Sequence, residues 1–79
     1  MSNIEKYANV FISVFDVDRG ALNESFNFKD VEEWNSIMHI TLVNELEAAF
    51  DVMFETEDIL HFGGYKNGIE ILKKYGVEF

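Results

Sequence analysis

Cysteine is absent from this chain, so its own side chains can build no disulfide framework, no thiolate nucleophile and no cysteine-ligated metal site. A reducing compartment is the default. Also missing is any apolar run long enough for a signal peptide or a membrane span, which leads us to expect a soluble, cytoplasmic protein. Basic residues are few: Lys6, Arg19, Lys29, Lys66, Lys73 and Lys74 stand against fifteen acids, for a formal charge of −9. That balance opposes phosphate backbones and anionic lipid, so neither nucleic acid nor membrane is expected as a partner, and it argues mildly for a monomer. Chemistry-bearing constellations are lacking as well. No carboxylate pair, hydroxyl–base arrangement or glycine-rich phosphate cradle points to an enzyme.

At 79 residues the chain is read as a single domain, 1–79, with too little interior for a deep catalytic cleft. No lysine or arginine falls between Asp30 and Tyr65, an interval that holds nine acids: Asp30, Glu32, Glu33, Glu45, Glu47, Asp51, Glu55, Glu57 and Asp58. A one-signed surface of this kind steers oppositely charged partners. Asp51, Glu55, Glu57 and Asp58 do not have the spacing of a calcium loop, because the central glycine and alternating ligands are missing.

Apolar residues recur at helical spacing in four places. Ser2-Asn3-Ile4-Glu5 reads as a capping box, after which Ile4, Tyr7, Ala8, Phe11, Val14 and Phe15 predict a helix to Phe15 or Asp16. From Asp16 to Trp34 the period fails, and a long loop is expected, pinned by Val17, Leu22, Phe26, Phe28, Val31 and Trp34, with a short helical turn over Asp30 to Trp34. Phe26-Asn27-Phe28 alternates like a strand but has no evident partner strand. A second helix should run to Phe50 with His39, Leu42, Val43, Leu46, Ala49 and Phe50 inward, started by Asn35 and Ser36. A third should begin at a Thr56 cap, bury Ile59, Leu60 and Phe62, and stop at Gly63-Gly64. The last is expected over Tyr65 to Tyr75 with Ile69, Leu72 and Tyr75 inward, Lys73 and Lys74 in its final turn and Gly76 as a left-handed cap. Gly68 inside it costs roughly 1 kcal/mol relative to alanine.

Ser36 therefore sits at the mouth of an amphipathic helix, where backbone N–H groups favour an attached anion. Trp34-Asn35-Ser36-Ile37, with His39, Leu42, Val43, Leu46, Glu47, Phe50 and Val52, resembles the attachment site of acyl carrier proteins, and in particular their small free-standing Trp-Asp-Ser-Leu-x-His subtype. Asn35 stands where that family has aspartate. The resemblance implies an all-α, antiparallel four-helix bundle with a long first loop and a short third helix. It further implies that Ser36 carries 4′-phosphopantetheine, taken from coenzyme A by a phosphopantetheinyl transferase. Acyl or aminoacyl groups would then be held as thioesters and presented to loading ligases, synthases or transferases of fatty acid, polyketide, peptide or polysaccharide pathways.

Within that expectation Asn35 belongs to the attachment site, and Ile37 and Ile40 are apolar contacts for partners. Glu45, Glu47 and Asp51 are the charged part of the recognition surface, and no metal site is expected. An aspartate at position 35 would assist metal and hydroxyl positioning in the transferase complex, whereas an amide brings no negative charge. A second reading stays open: a carrier-shaped, acidic helical interaction module that is never modified. His39 is expected to be packed, with a ring nitrogen satisfied by a backbone carbonyl.

Overall fold

Ser2 starts the first helix as its N-cap, and in the computed structural model, which describes residues 2–79, its hydroxyl accepts the Glu5 N–H at 3.3 Å. The Glu5 carboxylate answers by accepting from the Ser2 hydroxyl itself at 3.0 Å, a variant of the expected box. Helix α1 (Asn3–Phe15) ends at Asp16, a left-handed residue (φ 54°) whose N–H bonds to Ile12 O. Tyr7, Ala8, Phe11 and Phe15 form its buried stripe.

Helix α2 (Ser36–Phe50) is capped at its start by Asn35, whose side-chain oxygen accepts the Met38 N–H at 3.0 Å. Asp51 closes it in the left-handed region (φ 53°), where short polar residues are tolerated best after glycine. Leu42, Val43 and Leu46 face α1, its main packing partner.

Between these helices, Phe26 and Trp34 are buried and Val17, Leu22 and Val31 half-buried, as the loop reading requires. Three details differ. Phe28 is not a pin but stays 45% exposed. A 3-10 turn forms at Arg19–Ala21, and the stretch from Asp30 to Trp34 makes turns in place of a helical turn. The strand-like Phe26-Asn27-Phe28 does find a partner, in the two glycines that end the third helix. Asn27 and Gly64 form an isolated antiparallel bridge, flanked by Phe28 N–H to Gly63 O and Tyr65 N–H to Phe26 O, both 2.8 Å. Among the described residues there is no strand.

Helix α3 (Thr56–His61) has Glu55, not Thr56, at its N-cap position, without a side-chain capping bond. Phe62 just beyond it is fully buried and Ile59 half-buried, but Leu60 is 75% exposed, contrary to its expected inward place. Six residues allow one short buried side, which Asp58 takes with Phe62 just beyond the helix, and Leu60 lies on the other.

Helix α4 (Tyr65–Lys74) buries Tyr65, Gly68, Ile71 and Leu72, so the stripe is turned by one position from Ile69 and Tyr75, which are half-buried. Gly68 lies there because a Cβ would run into the Phe62 ring and the Tyr7 hydroxyl. Gly76 (φ 88°) completes a Schellman cap, with its own N–H on Lys73 O and the Val77 N–H on Leu72 O.

The result is a compact, mostly helical domain, with four α-helices among the described residues around an aromatic core and a Cα radius of gyration of 11.3 Å. Trp34 lies at 5.3–5.9 Å, ring to ring, from Phe11, Phe15 and Phe26. Large rings fill the interior of so short a chain efficiently, and edge-on pairs add about 0.5–1.5 kcal/mol beyond their area. Among the described residues no helix is long and apolar enough to cross a membrane.

Candidate functional site

Ser36 is the first residue of α2 and is exposed. The cap leaves a definite electrostatic setting. Asn35 satisfies the Met38 amide, and the Asn35 carbonyl accepts the His39 N–H at 2.8 Å, so the Ser36 and Ile37 amides have no acceptor inside the helix. A phosphate ester at Ser36 would meet these donors and the positive end of the helix dipole, an interaction of about 0.3–1 kcal/mol at an exposed site.

Beside Ser36 runs an open groove of about 430 Å³ between α2 and α3, lined by Phe28, Ser36, His39, Ile40, Ile59, Leu60, Phe62 and Gly63. Its walls are almost wholly apolar. Ile40 is 60% exposed and Ile37 76%, so the loop covers neither side chain. Phe28, Leu60 and Gly63 are groove residues that sequence patterning misplaced or passed over. The lone signal for Phe28 was its alternation with buried Phe26, which shows its meaning only once Gly63-Gly64 pairs with that segment.

His39 is fixed at the floor of this groove by two partners of opposite polarity. The Trp34 indole donates to Nδ1 at 3.0 Å, and Nε2 lies 2.8 Å from Ile59 O. An indole can only donate and a carbonyl can only accept, so the proton resides on Nε2 and the Nδ1 lone pair is occupied. The ring has nothing left with which to take a proton from Ser36. This is the packed role expected of it.

The three acids of the expected recognition surface separate on inspection. Glu45 is exposed on α2, and Asp51 is exposed at the α2 C-cap. Glu47 is half-buried, and its carboxylate accepts the Phe54 N–H at 2.9 Å, tying α2 to the segment that leads into α3. Its first task is to hold that connection. Among the described residues, no group of three or more His, Asp or Glu side chains comes together as a metal site.

One acid is buried. Asp58, 8% exposed, accepts from Lys74 Nζ at 2.7 Å and from the Tyr75 hydroxyl. The lysine bond first, then the tyrosine bond, holds its carboxyl below the ordinary value of 3.8, and the same contact raises Lys74 and Tyr75 above theirs. Compared with known proteins, the chain matches no family model, no curated sequence and no solved structure.

Proposed function

We propose that this protein is an acyl carrier that holds acyl or aminoacyl groups as thioesters on 4′-phosphopantetheine attached to Ser36, and that its four helices form an antiparallel bundle of the acyl carrier type. The observation that carries the reading is the exposed Ser36 hydroxyl on the first residue of α2, with an apolar groove beside it. The chain's own contribution is presentation. Asn35 fixes the end of the helix, the Ser36 and Ile37 amides favour a phosphate, and Ile37 and Ile40 offer apolar contacts on an acidic surface that suits basic partner enzymes. The arm supplies a thiol, which this cysteine-free chain otherwise lacks. The reading makes the protein a substrate of a phosphopantetheinyl transferase and of loading enzymes, and not itself a catalyst.

A second reading is favoured by one specific feature. Asn35 uses its side-chain oxygen to cap Met38 and has no charge to offer a metal ion in a transferase complex, which suits an unmodified interaction module of the same shape. Co-expression with a broad-specificity transferase, followed by intact mass measurement, separates the two. The carrier reading expects the mass of the arm on the wild type and none on Ser36→Ala. A wild type that stays bare with this transferase and in its native host sinks it, as does a Ser36→Ala protein that still gains the arm.

A further inference from the structure

Helix α3 spans six residues, fewer than an isolated helix needs to persist in water, so its position must come from neighbouring elements. Polar ties supply it at both ends. At the C-terminal end, His39 donates to Ile59 O at 2.8 Å and the Asn67 amide donates to His61 O at 2.7 Å. At the N-terminal end, the Glu47 carboxylate holds the preceding Phe54 N–H at 2.9 Å, and the ties from Glu55 and Asp58 lead to the last turn of α4 and its cap. The Tyr75 hydroxyl accepts the Glu55 N–H at 2.9 Å and donates to Asp58, whose other oxygen takes Lys74 Nζ. Asp58 is the one charged side chain buried among the described residues, and it is tolerated there because both oxygens are met. Ile59 and Leu60, which follow it directly, are part of the wall of the groove beside Ser36.

We infer that Asp58, Lys74 and Tyr75 form a latch that holds the N-terminal end of α3 against α4, and that releasing it lets α3 swing on its C-terminal ties and changes the width of the groove while the α1–α2 core stays folded. Tyr75 is the stronger half. Its hydroxyl joins two points of the segment at once, and its ring is packed edge-on against Phe54 at 5.3 Å, whereas the Lys74 side chain is 62% exposed and its attraction is screened by water. Helices α1 and α2 pack directly on each other, and of the latch residues Tyr75 alone, half-buried, touches the shared core, which makes a local opening possible without global unfolding. The inference stands on this geometry and not on the modification of Ser36.

Amide hydrogen exchange on the unmodified full chain tests it, with Tyr75→Phe as the variant that deletes one oxygen and keeps the ring. Exchange at Ile59 and Phe62, which do not bond to Tyr75, is expected to speed up by about tenfold or more while Phe11 and Leu42 keep their protection. Methyl resonances of Ile40 and Leu60, which both line the groove, are expected to shift in the same variant. Lys74→Met should act in the same direction with a smaller effect, and it carries the test if Tyr75→Phe does not fold. Unchanged exchange at Ile59 and Phe62, equal acceleration at Phe11 and Leu42, or unmoved groove methyls would each overturn the latch. None of these readouts depends on whether Ser36 accepts a phosphopantetheine arm.

Discussion

Trp34 and His39 are joined by a 3.0 Å hydrogen bond from the indole to Nδ1, and through Nε2 the same imidazole reaches the Ile59 carbonyl 2.8 Å away. Loop, α2 and α3 are thus connected by three groups whose polarity permits one arrangement. Removing the middle group strands a donor on one side and an acceptor on the other. His39→Ala is expected to destabilise the fold by about 1–3 kcal/mol, the range for leaving buried polar groups unmatched. Urea denaturation checks this. A double-mutant cycle with Trp34→Phe should give a coupling of about 0.5–3 kcal/mol, and strictly additive single effects would mean that the bond contributes nothing.

Gly68 offers a case in which two rules disagree and packing decides. Alanine is the better helix former by about 1 kcal/mol. At this position, however, its methyl would collide with the fully buried Phe62 ring and with the Tyr7 hydroxyl, which donates to Tyr65 O. Overpacking a filled core costs about 1–3 kcal/mol, so Gly68→Ala should lower stability on balance. In a calorimetric scan each net kcal/mol appears as a drop of about 4–8 °C in a domain of this size. A higher melting temperature would show that Phe62 can move aside.

Gly68 also marks the limit of what the amino-acid pattern could reveal. Helices α1 and α2 are long and started by side chains that act locally, so Ser2, Asn35, the strongly amphipathic stripe of α1 and the Leu42, Val43 and Leu46 stripe of α2 were readable one turn at a time. The His39 contact with a carbonyl was also foreseeable, because a histidine on an apolar face needs one. For α3 the pattern gave a short helix near Thr56 that stops before Gly63-Gly64, but not its details. Its start, its buried side and the exposure of Leu60 follow from bonds to Tyr75, Lys74 and His39, which lie about 15–20 residues away along the chain. For the same reason Gly68 looked like a weak point when its place is dictated by neighbours on other elements. At the site, the position of Ser36 was legible from its helix, but the groove was not, since Phe28 and Gly63 reach it through a pairing that carries no side-chain signal.

Stability should depend on pH at both extremes, in acid through the contact between α3 and α4 and in base through that contact and the buried Tyr7. Asp58 has a lowered pKa when folded, because Lys74 and Tyr75 donate to it, and an ordinary value near 3.8 when unfolded. Its contribution is therefore fully present above the ordinary value and is lost as pH falls through that value toward the lower folded one. Lys74 and Tyr75 are raised by the bond to Asp58, and Tyr7 is raised well above its ordinary value by burial. Their contributions are present below their ordinary values of 10.5 and 10.0 and are lost as pH rises through the folded ones. Urea midpoints measured across pH should stay level near neutrality and fall at both ends. In Asp58→Asn the midpoint should be lower at neutral pH, and its gap to the wild type should close in acid. A gap that is constant down to the lowest pH would exclude Asp58 as the titrating group.

Asn35 can be probed so that capping and recognition give different rankings. Its side-chain oxygen holds the Met38 amide, so Asn35→Ala should cost about 0.5–2 kcal/mol, whereas Asn35→Asp keeps the acceptor. The aspartate also adds a negative charge at the positive end of α2, worth about 0.3–1 kcal/mol. Stability should then rank aspartate at or above asparagine, with alanine lowest, as read by thermal melts. If Ser36 is an attachment site whose transferase uses an acid at this place, the modification rate should rise in Asn35→Asp by far more than its small change in stability can explain, and Asn35→Ala should be slower than the wild type. Equal rates for aspartate and asparagine would mean that the hydroxyl is presented by the cap alone and that charge at position 35 plays no part. A rate that simply follows the melting temperature through all three proteins would assign residue 35 to the helix and leave recognition to Ile37, Ile40 and the acids of α2.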